Sequence, residues 1–374
     1  MFLKKLRLLN FRSYGDLSIT FPPQGALLEG LNGTGKTNLL ESIFLLCTGR
    51  SQRGAQRAAM IRHEEEAAFV EGDFFCGDGL RPSASGGEDK TVNVALGFGR
   101  DKKIVMKRDG AAVNSFSEWF GERPVVSFGS DDLDLVYGAP ELRRRFADML
   151  ICQMDRSYMD ALSRYRKSLA CRNALFGKTS DPLQFEVYER EMAAAGAELV
   201  FRRAEVLGKL SMHLSDFYAQ ISECREVAGM EYEQKFKCDF NSKNEWKNVY
   251  LELLGERRIR DSELGFTAYG PHRDDLRFFL DKKPAKTFAS QGQCRSFALS
   301  LKLGSVLLLE QQKQDSMIFL IDDAVSELDS GRTSRVYPLL EGRGQIFIAT
   351  PHCQVTLRER VLKCAVELGK VKWS

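Results

Sequence analysis

Apolar and polar positions follow three different rhythms along the chain. Residues 2–21 carry two short apolar runs, Leu6 to Phe11 and Leu17 to Phe21, and a third run, Ala26 to Glu29, stops at Gly30. Asn38 to Leu46 (NLLESIFLL) predicts a helix. Residues 67–75, 91–98 and 103–108 predict strands joined by Gly-rich turns. The turn from Cys76 to Gly87 is the best candidate for a disordered surface loop. This first third therefore reads as β-rich around one embedded helix.

The rhythm changes at Pro140. Apolar residues recur almost every fourth position, through Leu142, Phe146, Leu150, Met154, Tyr158, Leu162, Tyr165 and Leu169. That spacing predicts one buried helical stripe. After a break at Gly177 to Pro182, a second stripe runs through Leu199, Val206, Leu210, Leu214, Phe217 and Ile221. Two long helices joined by a short polar turn predict an antiparallel hairpin with arms of about 50–55 Å, at 1.5 Å per residue. The last third returns to short apolar runs, Met317 to Ile321 (MIFLI) and Gln345 to Ala349 (QIFIA), which predict buried parallel strands.

Composition narrows the class. The chain has 374 residues, 43% hydrophobic and 28% charged, the balance of a soluble globular protein of two or three domains, or of one with a large insertion. Net charge is only +3, but nine Lys/Arg face three acids within residues 1–62, a local basic field that attracts polyanions or forms a solvated face. Nine Cys with no CxxC pair lack metal-site spacing and fit a reducing cytoplasm. Lys4, Lys5, Arg7 and Arg12 interrupt the start, so a signal peptide is not expected, and no window approaches 18 apolar residues.

Three segments carry chemistry. GLNGTGKT, comprising Gly30, Leu31, Asn32, Gly33, Thr34, Gly35, Lys36 and Thr37, matches the phosphate-loop pattern between a strand and a helix. Its glycines let the backbone curl so that several N–H groups point at one phosphate. Lys36 is placed for the β- and γ-phosphates of ATP and Thr37 for Mg²⁺, at the positive end of the following helix. MIFLIDDAVSELD ends a buried strand in Asp322 and Asp323, which are costly there unless compensated by charge such as a magnesium–phosphate complex. Asp322 is the candidate water-mediated Mg²⁺ partner and Asp323 the group that polarises an attacking water. A turn with solvated acids is the plainer alternative. In FASQGQCRSFALSLKL, Ser290, Gln291, Gly292 and Gln293 open a helix, with Ser290 a good N-cap and Gly292 permitting close backbone approach. An ABC-type head uses such a helix start to cover the γ-phosphate held by a second subunit, whereas an ordinary capped helix needs no such role.

NFRSY near residue 10, GLNGTGKTNLLE, TGRSQRG, GPHRDDL at 270–276, the SQGQ helix and LIDDAVSELD occur in that order. The ordered set resembles the RecF family of SMC-like ATPases from residue 1 to about 350. The resemblance implies an α/β fold: an ABC-type P-loop ATPase head with a mixed sheet, residues 1–139 and 265–374, plus a helical second lobe on the antiparallel hairpin, residues 140–264. It implies an ATP-dependent homodimer, with Ser290, Gly292 and Gln293 of one head facing Lys36 of the other, Asp329 at the seam and Arg12 approaching the nucleotide. It further implies a slow, DNA-dependent ATPase of recombinational repair. Such a protein clamps duplex DNA near a single-strand gap and works with RecO and RecR to load a recombinase.

Some positions depart from the wider ABC pattern or stay open. Transporters place a His directly after the final strand; here Thr350 and Pro351 intervene before His352. The transporters' metal-side glutamine has no obvious counterpart, and Ser130 to Asp132 is the equivalent segment, its acids reading as helix caps. His272 and Arg273 form either a structural ion-pair knot or a nucleotide-responsive contact between lobes. Arg50, Arg53 and Arg57 are candidate DNA-phosphate contacts, with Arg53 and Arg57 on one face of a possible helix. A P-loop phosphotransferase such as a nucleotide kinase is the competing function, disfavoured by the SQGQ helix. With about 25 residues after the last strand an added nuclease domain is not expected, and the NFRSY start disfavours a transporter subunit.

Overall fold

The computed structural model describes residues 1–76, 90–101, 104–179, 181–223, 226–236, 242–313, 316–322, 335, 338–351, 362–367 and 369–373. Asp323, Asp329, His352 and all of the Gly-rich turn after Cys76 lie outside them. The chain divides into two compact units, Met1–Asp132 with Ser305–Ser374, and Leu133–Gly304.

The first unit is built on two sheets. Strands Phe2–Phe11 and Tyr14–Thr20 form a hairpin, continued antiparallel by Ala67–Cys76, Lys90–Gly99, Ile104–Arg108 and Ala111–Ala112. The second sheet runs Lys370–Trp373, Leu362–Glu367, Gly25–Glu29, Gly344–Thr350, Met317–Asp322, Val125–Gly129. Its strands are parallel except for the edge strand Lys370–Trp373. Every residue of Met317–Ile321 and of Gly344–Thr350 is buried, as continuous apolar runs in a covered parallel sheet require.

Helix Lys36–Thr48 contacts strands of both sheets, and every residue from Leu39 to Thr48 is buried. A helix that is apolar all round has no solvent face to offer, so NLLESIFLL sits between layers. Gln345, fully buried, bridges the layers too. Its carbonyl accepts from Leu3 N–H at 2.8 Å, and its amide donates to the carbonyls of Leu3 and Pro22, each at 2.9 Å. The buried amide is thus satisfied rather than costly.

The second unit is mainly helical, with a three-stranded antiparallel sheet of Lys283–Pro284, Asp275–Leu280 and Ala228–Glu233. Its hairpin pairs Arg156–Leu175 with Pro182–Ser222, a helix of 41 residues and so about 60 Å long. The first arm is not the single helix that the fourfold spacing predicts. Pro140–Met154 ends at Asp155, whose carboxylate caps the next helix by accepting from the N–H groups of Ser157 and Tyr158. Residues 265–304 lie in the second unit, where Asp275–Leu280 pairs with Ala228–Glu233 and Arg143 grips Asp275 through two bonds of 2.7 and 2.9 Å.

Large buried ions hold this unit together. Arg172 is fully buried and donates to Glu189 (3.1 Å), Asp261 (2.8 Å), Thr267 Oγ1 (2.7 Å) and the Leu254 carbonyl (2.9 Å). Arg203 donates to Asp148 (2.8 Å), the Tyr158 hydroxyl (2.9 Å) and the Pro271 carbonyl (2.7 Å). Each guanidinium is paired with a carboxylate and donates to further acceptors, which is the condition for burying one. Among the described residues no helix is long and apolar enough to cross a membrane.

Candidate functional site

The phosphate loop leaves strand Gly25–Glu29 and enters helix Lys36–Thr48, as its residue types require. Gly35 occupies the helix N-cap at φ +115° and supplies no capping side chain, and the first turn holds no acid. The first N–H groups of the helix are therefore left for an anion. A side chain at Gly35 would also collide with the neighbouring hairpin turn: a Cβ there would lie 2.8 Å from Ser13 Oγ and 3.0 Å from the Tyr14 hydroxyl. That hydroxyl donates to the Gly35 carbonyl at 3.0 Å, and burial pushes its pKa upward, so it keeps its proton. Lys36 folds back on the loop, its ammonium donating to the carbonyls of Gly30 (2.7 Å) and Leu31 (3.0 Å).

Asp322 reaches the same place from the parallel sheet. It is the last residue of its strand, in register with Ala349 on one side and Gly129 on the other. Its Oδ1 accepts from Thr37 Oγ1 at 3.0 Å. A hydroxyl and a carboxylate oxygen so close are the hard donors that Mg²⁺ prefers. Among the described residues no group of three or more His, Cys, Asp or Glu could hold a metal. A cation here would complete its shell with phosphate oxygens and water, the usual habit of Mg²⁺. The residues present thus fit a magnesium–triphosphate.

Arg12 stands on the Asn10–Tyr14 turn in a left-handed backbone conformation, φ +52°. Its guanidinium donates to both oxygens of Glu41, at 3.0 and 3.2 Å, and to the Ala59 carbonyl at 2.6 Å. Glu41, buried on the loop's helix, also accepts from Ser51 Oγ at 2.5 Å. One carboxylate thereby joins the first hairpin turn, the helix and the segment after it. That segment carries Arg50 and Arg53, both exposed, and Arg57, which is half-buried. The shared helical face expected of Arg53 and Arg57 does not form: Arg53 lies in a turn, and Arg57 opens the short 3₁₀ segment Arg57–Met60. The chain there bonds back to the hairpin turn instead, with Arg12 N–H to the Met60 carbonyl and Arg62 N–H to the Asn10 carbonyl, each 2.8 Å.

The expected reading of Ser130 to Asp132 as a cap fits the geometry, since Asp132 accepts from Gly129 N–H at 2.9 Å. The nearby polar group is one that sequence reasoning missed. Gln52 Nε2 lies 3.8 Å from where a Cβ on Gly129, the register partner of Asp322, would sit.

In the second unit, Ser290 and Gln293 form a reciprocal capping box. Gln293 N–H donates to Ser290 Oγ at 3.2 Å, and Ser290 N–H donates to Gln293 Oε1 at 2.6 Å. Gln293 Nε2 is held by Glu226 at 2.7 Å, while Ser290 and Gln291 are exposed and Gly292 is half-buried. The helix Gln291–Lys313 thus opens with a capped, accessible first turn.

GPHRDDL is an ion-pair and hydrogen-bond knot within the second unit. His272 Nε2 faces the Thr267 carbonyl at 3.0 Å, and its Nδ1 faces the Tyr165 hydroxyl at 2.7 Å. A carbonyl can only accept, so Nε2 carries the proton and Nδ1 accepts from Tyr165. Burial, the larger cause, and the nearby arginines lower the His272 pKa to about 4. Asp274 accepts from the Tyr232 hydroxyl and from Lys235 N–H, and burial raises its pKa.

A family model described as an AAA domain matches residues 5–121. The DNA replication and repair protein RecF of Ligilactobacillus salivarius is 33% identical over 365 residues, spanning 94% of this chain and 91% of that protein. A solved structure of the recombination mediator protein RecF-ATP in the RecFOR pathway superposes with a TM-score of 0.89 at 28% identity, covering 100% of this chain and 97% of the other. An Smc head bound to the C-terminal winged-helix domain of ScpA, at 16% identity and a TM-score of 0.55, shares the fold alone. The α/β ABC-type head with a mixed sheet and a helical second lobe, expected from sequence, is therefore the fold of this chain. The phosphate loop, the strand-end aspartate and full-length similarity at this level lead to one statement: the chain belongs to the RecF family of DNA replication and repair proteins.

Proposed function

We propose that this chain is an ATP-driven DNA-binding switch of recombinational repair, acting in the cytoplasm. The observation that carries the reading is the 3.0 Å contact between Thr37 and Asp322, which brings a hydroxyl and a carboxylate together from two distant parts of the chain and supports a magnesium–phosphate site there. ATP binds with its phosphates on the N–H groups of Gly33 to Thr37, and Lys36 exchanges its loop carbonyls for phosphate oxygens. Mg²⁺, when bound, neutralises charge on the phosphates. Thr37 and Asp322 orient it, Asp323 polarises the attacking water, and Arg12 approaches the nucleotide.

ATP brings two copies together, with the capped first turn at Ser290, Gly292 and Gln293 of one facing the triphosphate of the other. Asp329 lies at the seam. The dimer holds duplex DNA beside a single-strand gap, with Arg50, Arg53 and Arg57 toward the phosphates, and works with RecO and RecR. Slow hydrolysis, stimulated by DNA, releases it. The relative named as RecF-ATP in the RecFOR pathway supports both nucleotide and partners.

Sedimentation velocity tests this directly. With Mg-ATP the mass doubles, the doubled species retains a gapped duplex, and Lys36→Ala abolishes both effects. A wild-type chain that stays monomeric and leaves the gapped duplex free in saturating Mg-ATP overturns the reading.

A further inference from the structure

A phosphate loop has two sides. Its N–H groups must converge on the anion, which turns carbonyls outward, and these need donors of their own. Tyr14 supplies one for Gly35. The donor for Thr34 comes from the other end of the chain. Strand Leu362–Glu367 runs parallel to Gly25–Glu29, with Ala365 opposite Glu29, one residue before the loop begins. It then turns back into Lys370–Trp373, with Glu367 opposite Lys370. At that turn Gly369 N–H donates to the Thr34 carbonyl at 3.3 Å.

Packing at the turn is closer than a side chain would allow. Gly369 has φ +79°, and a Cβ there would lie 2.6 Å from the Ser13 carbonyl oxygen. Ser13 Oγ in turn accepts from Asn38 Nδ2, at the start of the loop's helix, at 3.1 Å. On the loop's entry side, Gly30 lies so close to the Val366 carbonyl that a Cβ would strike it. The phosphate loop is therefore gripped between the first hairpin turn and the last one.

We infer that the C-terminal hairpin turn, through the Gly369 backbone, positions the phosphate loop and sets its affinity for nucleotide. The inference rests on the proposed nucleotide site. A loop already curled loses little conformational entropy when the triphosphate arrives, whereas a loosened one must be ordered by the ligand at a cost in affinity. Gly369 touches no substrate; it acts through Thr34 and Ser13.

Gly110 provides the control. It occupies another hairpin turn of the same unit at φ +80°, with nothing within 4 Å of an added Cβ. Gly369→Ala and Gly110→Ala impose the same backbone strain, but only the first drives a methyl into Ser13. Gly369→Asn keeps that collision with a residue that tolerates left-handed backbone better. ATP affinity is read by calorimetry below each variant's melting temperature, alongside KM and kcat. Both Gly369 variants raise Kd and KM for ATP by about tenfold with kcat changed far less, while Gly110→Ala binds as wild type. In wild type, hydrogen exchange at the Gly369 amide slows on adding ATP. Wild-type affinity in both Gly369 variants, an equal loss in Gly110→Ala, or an unchanged Gly369 exchange rate overturns the inference. Failure of the wild-type chain itself to bind ATP overturns the nucleotide site beneath it, and is told apart by that.

Discussion

Thr37 Oγ1 donates to Asp322 Oδ1 at 3.0 Å although 285 residues separate them. The bond draws the start of the loop's helix and the end of a buried strand into one polar cluster at the carboxyl edge of a parallel sheet, where open α/β sheets bind ligands. Thr37→Ala removes the hydroxyl proposed to meet Mg²⁺. Steady-state assays should show turnover falling about a hundredfold, while nucleotide affinity without Mg²⁺ stays near wild type. Stability should shift by only about 1 kcal/mol, since Asp322 is half-buried. Unaltered turnover would remove Thr37 from the site.

Glu41 is the common acceptor for Arg12 and Ser51, with three bonds of 2.5 to 3.2 Å. Glu41→Ala leaves Arg12, whose side chain is only 20% exposed, without its counter-ion. Urea denaturation should report a loss of about 2–3 kcal/mol. A midpoint equal to wild type would mean that the network is ornamental.

Arg172 and Lys243 offer a contrast in burial. Arg172 and its partner Glu189 are both fully buried, whereas Lys243 and Glu198 are each about half exposed. Arg172→Met keeps the volume but strips Asp261 and Thr267 of their donor, and should cost about 3–5 kcal/mol. Lys243→Ala should cost less than about 1 kcal/mol. Thermal unfolding of the two variants side by side checks the ordering.

His272 makes stability depend on pH. Its pKa drops from 6.5 unfolded to about 4 folded because burial disfavours the imidazolium and the positive charges of Arg273, Arg144 and Arg203 lie nearby. The unfolded chain therefore binds the extra proton first as pH falls. The contribution of the neutral ring is intact above pH 6.5 and is lost progressively down to about pH 4. Each pH unit across that window is worth roughly 1.4 kcal/mol, so the loss is at most a few kcal/mol. Melting curves of wild type and His272→Gln across this range isolate the effect: the wild type should lose stability relative to the variant as pH falls, and parallel curves would refute it.

The phosphate loop was legible because its chemistry demands adjacent residue types, and Asp322 because an apolar strand ended abruptly in acid. Contacts between distant segments were less so. Glu41 is a lone acid in the apolar NLLESIFLL, and nothing local names Arg12 or Ser51 as its partners. The fourfold spacing ran unbroken through Asp155 because the helices on either side both bury apolar residues, Leu150 before it and Tyr158 after it. The signal for two helices was the capping Asp itself. The pairing of Asp275–Leu280 with Ala228–Glu233 leaves no trace in periodicity. Gly369 had no motif at all; its part follows from a parallel strand that delivers the turn beside Thr34.

The most direct test is the Mg²⁺ dependence of ATP binding in wild type and Asp322→Asn. Equilibrium binding of a fluorescent ATP analogue is measured in Mg²⁺ and in EDTA. Mg²⁺ should tighten binding to the wild type, and Asp322→Asn should lose most of that gain while matching wild type in EDTA. A variant that keeps the full Mg²⁺ enhancement would contradict a metal site built from Thr37 and Asp322.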